Sequence, residues 1–166
     1  GKVELYSSLC EKWGYEPLPY FHEPKETPLS EPEAAEQYPL ILTSAHDSNY
    51  VHSQDRNLET IRRQRPEPLV SIHPETARNL GIDNGDTVFI ENKRGRIKQK
   101  AVLSETVDPK VISVDYGWWF PEKADSECYG WDEANLNILT DDNPPFSPEI
   151  GSPAMRGFFC KVYKAE

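Results

Sequence analysis

The chain has 166 residues, 37% of them hydrophobic, with four Trp, eight Tyr and six Phe, which is enough apolar material for a packed domain and speaks against disorder. A net charge of −10 argues against general nucleic-acid binding or adhesion to an anionic membrane, and no apolar run approaches the length of a membrane span. Fifteen prolines and nine glycines argue against long helices.

Residues 1–38 carry Pro17, Pro19, Pro24, Pro28 and Pro32 among many acidic side chains, so this stretch reads as an extended strap. Within it only residues 4–13 could form a turn or two of helix, placing Tyr6, Leu9, Cys10 and Trp13 on one apolar face. A polar strap with embedded Tyr20 and Phe21 wraps over a neighbouring surface, and exposed apolar side chains are expected around Tyr6, Trp13 and Tyr20. His22 is given no role. The opening Gly1-Lys2-Val3-Glu4, with no initiator Met and no signal-peptide pattern, reads as a cut inside a longer polypeptide.

The chain divides near Pro39. The short apolar strand Pro39-Leu40-Ile41-Leu42 runs into a polar loop, residues 43–54, with small hydroxyls, carboxamides and two imidazoles. A rigid strand end followed by such a loop displays binding groups, and this inventory suits hydrogen bonding to a large polar ligand better than bond breaking. A surface loop rich in Ser and Asn, because turns favour them, is the alternative. Residues 56–65 suggest one short helix, stopped by Pro66 and Pro68. Leu69-Val70-Ser71-Ile72 is a strand, and a helix then starts with Pro74 at its first position, turns Ala77 and Leu80 inward, and closes at Gly81 as a left-handed cap. Asp83-Asn84-Gly85-Asp86 turns the chain into a strand over 87–91, and Lys93-Arg94-Gly95 turns it back into a strand over 96–103. That second strand alternates, with Arg96, Lys98 and Lys100 on a wet face opposite Ile97. Asp108-Pro109-Lys110 leads into the strand Val111-Ile112-Ser113-Val114. Short strands, Gly turns and a small inserted helix indicate a closed barrel rather than a doubly wound sheet, and no internal repeat is visible. Cys10, Cys128 and Cys160, an odd number at wide spacing with no CxxC pair, read as buried free thiols.

Several segments, in order, resemble the C-terminal domain of molybdopterin oxidoreductases of the dimethyl sulfoxide reductase family. They are Ser44-Ala45-His46, His52-Ser53-Gln54, the run from His73-Pro74-Glu75 to Asn84-Gly85-Asp86, Arg94-Gly95, Asp108-Pro109-Lys110, Gly117-Trp118-Trp119, Asn137-Ile138-Leu139-Thr140 and residues 151–162. Gly1 to Ser7 resembles the segment preceding that domain. The resemblance implies a mainly β fold, a six-stranded double-psi β-barrel over residues 39–166 with short helices and an extended N-terminal strap over 1–38. It implies binding of the pterin and phosphate parts of bis-(molybdopterin guanine dinucleotide) carrying molybdenum or tungsten. The metal ligand, and a 4Fe-4S cluster where one exists, would come from the remaining domains of the parent oxidoreductase, which could also meet an electron-transfer subunit. The fragment alone is expected to be inactive, to bind no nucleic acid and not to insert in a membrane.

On this reading Ser44, Ala45 and His46 lie at the end of the first strand, and His52, Ser53 and Gln54 follow on the same rim. Asn137, with both amide functions on a short side chain, suits pterin recognition, and Arg156 suits a phosphate. The plain readings are a turn residue for Asn137, a solvated cation for Arg156 and a helix-entry residue for His73. Trp118 and Trp119 read as core, or else as cleft lining. Where related sequences commonly have Thr-Gly-Arg this chain has Ser44-Ala45-His46, and Lys110 replaces a usual Gly. The alternatives are a double-psi barrel serving as a protein-interaction module, which needs no polar 43–54 loop, and a stand-alone small subunit without the catalytic metal. A self-processing decarboxylase barrel would need a central Gly-Ser pair, and Gly151-Ser152 comes too late.

Overall fold

The computed structural model describes residues 2–144, 146–148, 150–153 and 156–165. Six strands close into a barrel: β1 (Leu40–Ala45), β2 (Leu69–Ile72), β3 (Thr87–Asn92), β4 (Gly95–Leu103), β5 (Val111–Asp115) and β6 (Phe158–Lys164). The order around the barrel is β1-β5-β2-β4-β3-β6. β1 pairs with β5 in parallel and β2 with β4 in parallel, while every other neighbouring pair is antiparallel. Advancing every strand number by three leaves these pairings unchanged. The fold thus repeats itself about a pseudo-twofold axis, the double-psi arrangement, although no repeat is visible in the residues. Alternation explains the closed core: Leu40 and Leu42, Val88 and Ile90, Ile112 and Val114 point inward, and β4 keeps Arg96 and Lys98 in water while burying Ile97, Gln99 and Ala101.

Strand directions put β1, β3 and β5 with their C-terminal ends, and β2, β4 and β6 with their N-terminal ends, at one mouth of the barrel. The two long connections, residues 46–68 and 116–157, both lie at this mouth. The opposite end carries only the shorter connections 73–86 and 104–110.

Local departures from the expected elements have simple causes. The helix expected over 56–65 shortens to one turn, Glu59–Arg62, because Arg56 is drawn into the interior. The strand β6 has no separate signal in the sequence pattern, because its first three residues, Phe158, Phe159 and Cys160, are all buried and do not alternate. The helix at Pro74–Leu80 forms with the His73 side chain accepting from the Glu75 N–H and with Gly81 left-handed at φ 67°, but Leu80 faces solvent and Ile82, past the cap, fills the core instead. Of the cysteines only Cys160 is buried, and burial pushes its thiol pKa up; Cys10 is half-buried and Cys128 exposed. The strap holds helices at Ser8–Lys12, capped by the Ser7 hydroxyl, and Pro32–Gln37, where Pro32 is pre-set for a first helical position. Tyr6, Trp13 and Tyr20 are indeed largely exposed.

The strap is fastened by one buried carboxylate. Glu26 binds Arg94 of the β3–β4 hairpin and Lys93 Nζ at 3.0 Å, and Arg94 also reaches Asp141 at 2.9 Å. Burial alone would raise the pKa of Glu26, but the hydrogen bonds from Arg94 and Lys93 outweigh it and hold the carboxyl below its ordinary value. A depressed pKa means that this stabilisation is complete above the ordinary carboxylate range and is lost as pH falls through the lowered value. Glu26→Gln should therefore cost about 2 kcal/mol at neutral pH in urea unfolding. The gap from the unsubstituted protein should close in acid. A gap that stays constant from pH 7 to pH 3 would contradict this assignment.

Candidate functional site

The two long loops have little regular structure, and their shape is set by buried polar side chains between them. Arg56 is 2% exposed. Its guanidinium lies 3.8 Å from the centre of the Tyr50 ring and 4.3 Å from that of Trp118. Nη2 donates to the carbonyls of His52 at 3.3 Å and Tyr116 at 3.2 Å, one on each loop. Burial lowers the pKa of Arg56, with the nearby Tyr50, Asp115 and Asp47 opposing that shift. Below it, buried Asp115 accepts from Arg65 Nη2 at 2.8 Å and the Leu69 N–H at 2.9 Å, and Arg65 Nε lies 2.9 Å from Asp47. Burial raises the pKa of Asp115 and these donors resist it. Gln99, reaching up from β4, donates to the carbonyls of Asp115 at 2.8 Å and Ala134 at 3.1 Å.

At Gly117 the two loops pack backbone against backbone. Its φ is +68°, and a Cβ there would lie 3.0 Å from the backbone carbon and oxygen of His52 and 3.1 Å from the Ser53 nitrogen. His52 itself is left-handed at φ 51°. Its Nδ1 is 3.1 Å from the Tyr116 hydroxyl, and the rings of His46, His52 and Tyr116 cluster with centroids 5.9–6.4 Å apart.

This scaffold frames a cleft of about 790 Å³ at the barrel mouth, lined by His52, Ser53, Tyr116, Trp119, Tyr129 and Asn137 among others. Trp119 Nε1 donates to the Ser53 carbonyl at 2.6 Å. Asn135, buried, spends its amide on the Trp118 carbonyl and the Asn137 N–H. The Asn137 carboxamide and the Ser53 hydroxyl bond no other described residue, so both are available to a ligand. Trp118 is wholly buried and Trp119 lines the cleft, so the pair divides between the two readings.

Of the residues singled out from the sequence, Ser44 and Ala45 are the last of β1, opposite Val114 and Asp115. Ala45 and His46 border a small crevice beside Arg56, His52 and Asp115. His52, Ser53 and Asn137 line the main cleft, while the Gln54 side chain is exposed next to it. Arg156 lies elsewhere on the same mouth: the register that pairs Leu42 with Phe158 carries Ser44 and Arg156 to one end. There Arg156 lines a second hollow of about 540 Å³ with His22, Glu26, Arg94 and Asp141. Lys25 and Arg94 in that hollow are paired with carboxylates, whereas Arg156 has no ion-pair partner among the described residues. Sequence reasoning passed over Arg56 and Tyr116. One is an arginine in a polar stretch and the other a tyrosine at a strand end, and neither pattern marks a role. Among the described residues no cluster of His, Cys, Asp and Glu could hold a metal ion.

The sequence profile of the molydopterin dinucleotide binding domain family matches residues 40–159. The chain is similar to acetylene hydratase of Syntrophotalea acetylenica, 39% identical over 99% of this chain and 23% of that protein. Dopamine dehydroxylase of Eggerthella lenta is 34% identical over 99% of the chain and 16% of its own length. Trimethylamine-N-oxide reductase 1 of Escherichia coli K12 is 34% identical over 86% and 18%. The solved structure of acetylene hydratase from Pelobacter acetylenicus superposes with a TM-score of 0.87, at 35% identity, over 99% of this chain and 23% of that one. The chain therefore spans about a quarter or less of the length of these relatives.

The closeness of the loops at Gly117 yields a direct expectation. Gly117→Ala should destabilise the protein by at least about 1–2 kcal/mol from the positive φ alone, before the contact with His52 is counted. Thermal melting with the far-UV spectrum preserved would show it, and an unchanged Tm would contradict the packing described.

Proposed function

The chain belongs to the molydopterin dinucleotide binding domain family, and from that premise we propose that it forms one wall of a bis-(molybdopterin guanine dinucleotide) site in a larger molybdenum or tungsten enzyme. The observation that carries the proposal is the barrel mouth, where a large cleft, lined by Ser53 and Asn137 with side chains that bond no other described residue, sits on the scaffold built around buried Arg56. The fit is chemical. A pterin edge alternates donors and acceptors, which the Asn137 carboxamide, the Ser53 hydroxyl and the imidazoles of His46 and His52 can match, with Ser44, Ala45 and Gln54 adding main-chain and amide groups on the rim. A pyrophosphate needs a cation not already neutralised, and Arg156 supplies one.

The bound cofactor would supply the metal-centred chemistry of the parent enzyme. This chain's own residues would bind, orient and shield it. The metal ligand, any iron–sulfur cluster and the substrate pocket would belong to other domains, so the 166-residue chain alone would not turn over substrate. Relatives named as an acetylene hydratase, a dopamine dehydroxylase and a trimethylamine-N-oxide reductase share this domain, which is consistent with substrate choice residing outside it.

Cofactor retention in the full-length protein tests the proposal. Arg156→Ala should weaken retention by about 1.5–3 kcal/mol, the usual loss for a charge-assisted contact, and Asn137→Ala by about 1 kcal/mol. Arg78→Ala, an exposed arginine on the helix at the opposite barrel end, should leave it unchanged. Pterin released per protein after dialysis is the readout. Full retention in both site variants would overturn the proposal.

A further inference from the structure

We propose that Tyr116 is a positioning residue of the cofactor site: its hydroxyl holds His52 in the tautomer that offers Nε2–H to an acceptor atom of the bound cofactor. The inference rests on the cofactor-site reading above and adds to it the direction of one hydrogen bond.

The argument starts with how firmly His52 is held. Its backbone is left-handed, which a residue with a side chain adopts only when its surroundings impose it. Arg56 fastens the His52 carbonyl, and Gly117 presses on the same peptide from the other loop. Tyr116 is fastened through its own carbonyl by the same Arg56 Nη2. The two backbones are therefore tied together by one guanidinium, and from these positions the Tyr116 hydroxyl lies 3.1 Å from His52 Nδ1.

The donor in this contact follows from the chemistry of the two groups. A phenol O–H is a stronger donor than the N–H of a neutral imidazole, and a bare imidazole nitrogen is a stronger acceptor than a phenol oxygen. The 3.1 Å contact is therefore assigned with the phenol donating to Nδ1 and the imidazole proton on Nε2. His46 meets the His52 ring edge-on and the Tyr116 ring at a tilt of 47°, without a hydrogen bond to either, so it leaves this assignment alone. An Nε2–H is a donor, which matches a pterin carbonyl or a phosphate oxygen and rejects an amino group at that position.

The test has two arms. In the 166-residue chain, long-range proton–nitrogen NMR reports the tautomer of each histidine. The neutral His52 ring should be the Nε2–H form, and Tyr116→Phe, which keeps the ring and removes only the hydroxyl oxygen, should convert it to a mixture while His46 is unaltered. In the full-length protein, Tyr116→Phe should weaken cofactor retention about fivefold, the usual scale for one hydrogen bond. In a His52→Ala background the same change should add nothing, because Tyr116 acts through His52. An Nδ1–H form in the unsubstituted chain, no change of tautomer in Tyr116→Phe, or additive losses in the double variant would each overturn the inference while leaving the cofactor site standing. Unaltered retention in His52→Ala would instead remove the histidine from the site, and the inference with it.

Discussion

The arrangement of the barrel mouth depends on one buried cation. Arg56 packs against the rings of Tyr50 and Trp118, which meet each other edge to face, and ties the carbonyls of His52 and Tyr116 together. Removing a guanidinium from water is costly, and two of its nitrogens find no hydrogen-bond partner among the described residues. Two ring faces, each worth about 2 kcal/mol when desolvated, and two hydrogen bonds offset part of that cost. The result is specificity of shape. A hydrophobic residue of similar size would fill the space, yet would leave two carbonyls unsatisfied and His52 free to relax out of its left-handed conformation. The Asp47–Arg65–Asp115 bridge below serves the same purpose at the strand ends.

The barrel beneath is a frame with near-symmetric pairing and asymmetric loops. Strands one to three and four to six occupy equivalent places, so symmetry alone would make the two ends alike. They differ because each half contributes one long connection to the same mouth, residues 46–68 from one and 116–157 from the other. Groups far apart in sequence, such as His52 and Asn137, thereby reach one cleft. The strap adds a third side: Glu26, gripping the hairpin that carries Arg94, makes residues 22–26 part of the hollow that Arg156 lines. On the proposed reading, cofactor binding and strap docking share a boundary.

Much of this was legible in the residues, for physical reasons. Pro74 and Gly81 mark a helix because one fixes φ at its start and the other tolerates a left-handed end. The alternation of β4 gives away its wet face, and the polar run after Leu42 gives away the mouth. Leu80 misled because helical periodicity cannot say that the chain past the cap will deliver Ile82 to the same part of the core. β6 escaped notice because a strand buried along most of its length need not alternate in sequence. Arg56 and Tyr116 were invisible because their roles arise only when two loops sixty positions apart meet. Arg156 was singled out for its charge, but its placement in a hollow beside the strap depends on tertiary packing that no motif encodes.

The most direct measurement is a structure of the full-length protein with its cofactor bound. The account predicts the cofactor against the mouth formed by residues 46–68 and 116–157, with His52 and Asn137 within hydrogen-bond distance of it and Arg156 at a phosphate. A cofactor seated instead against the opposite barrel end, on the connections 73–86 and 104–110, would contradict it.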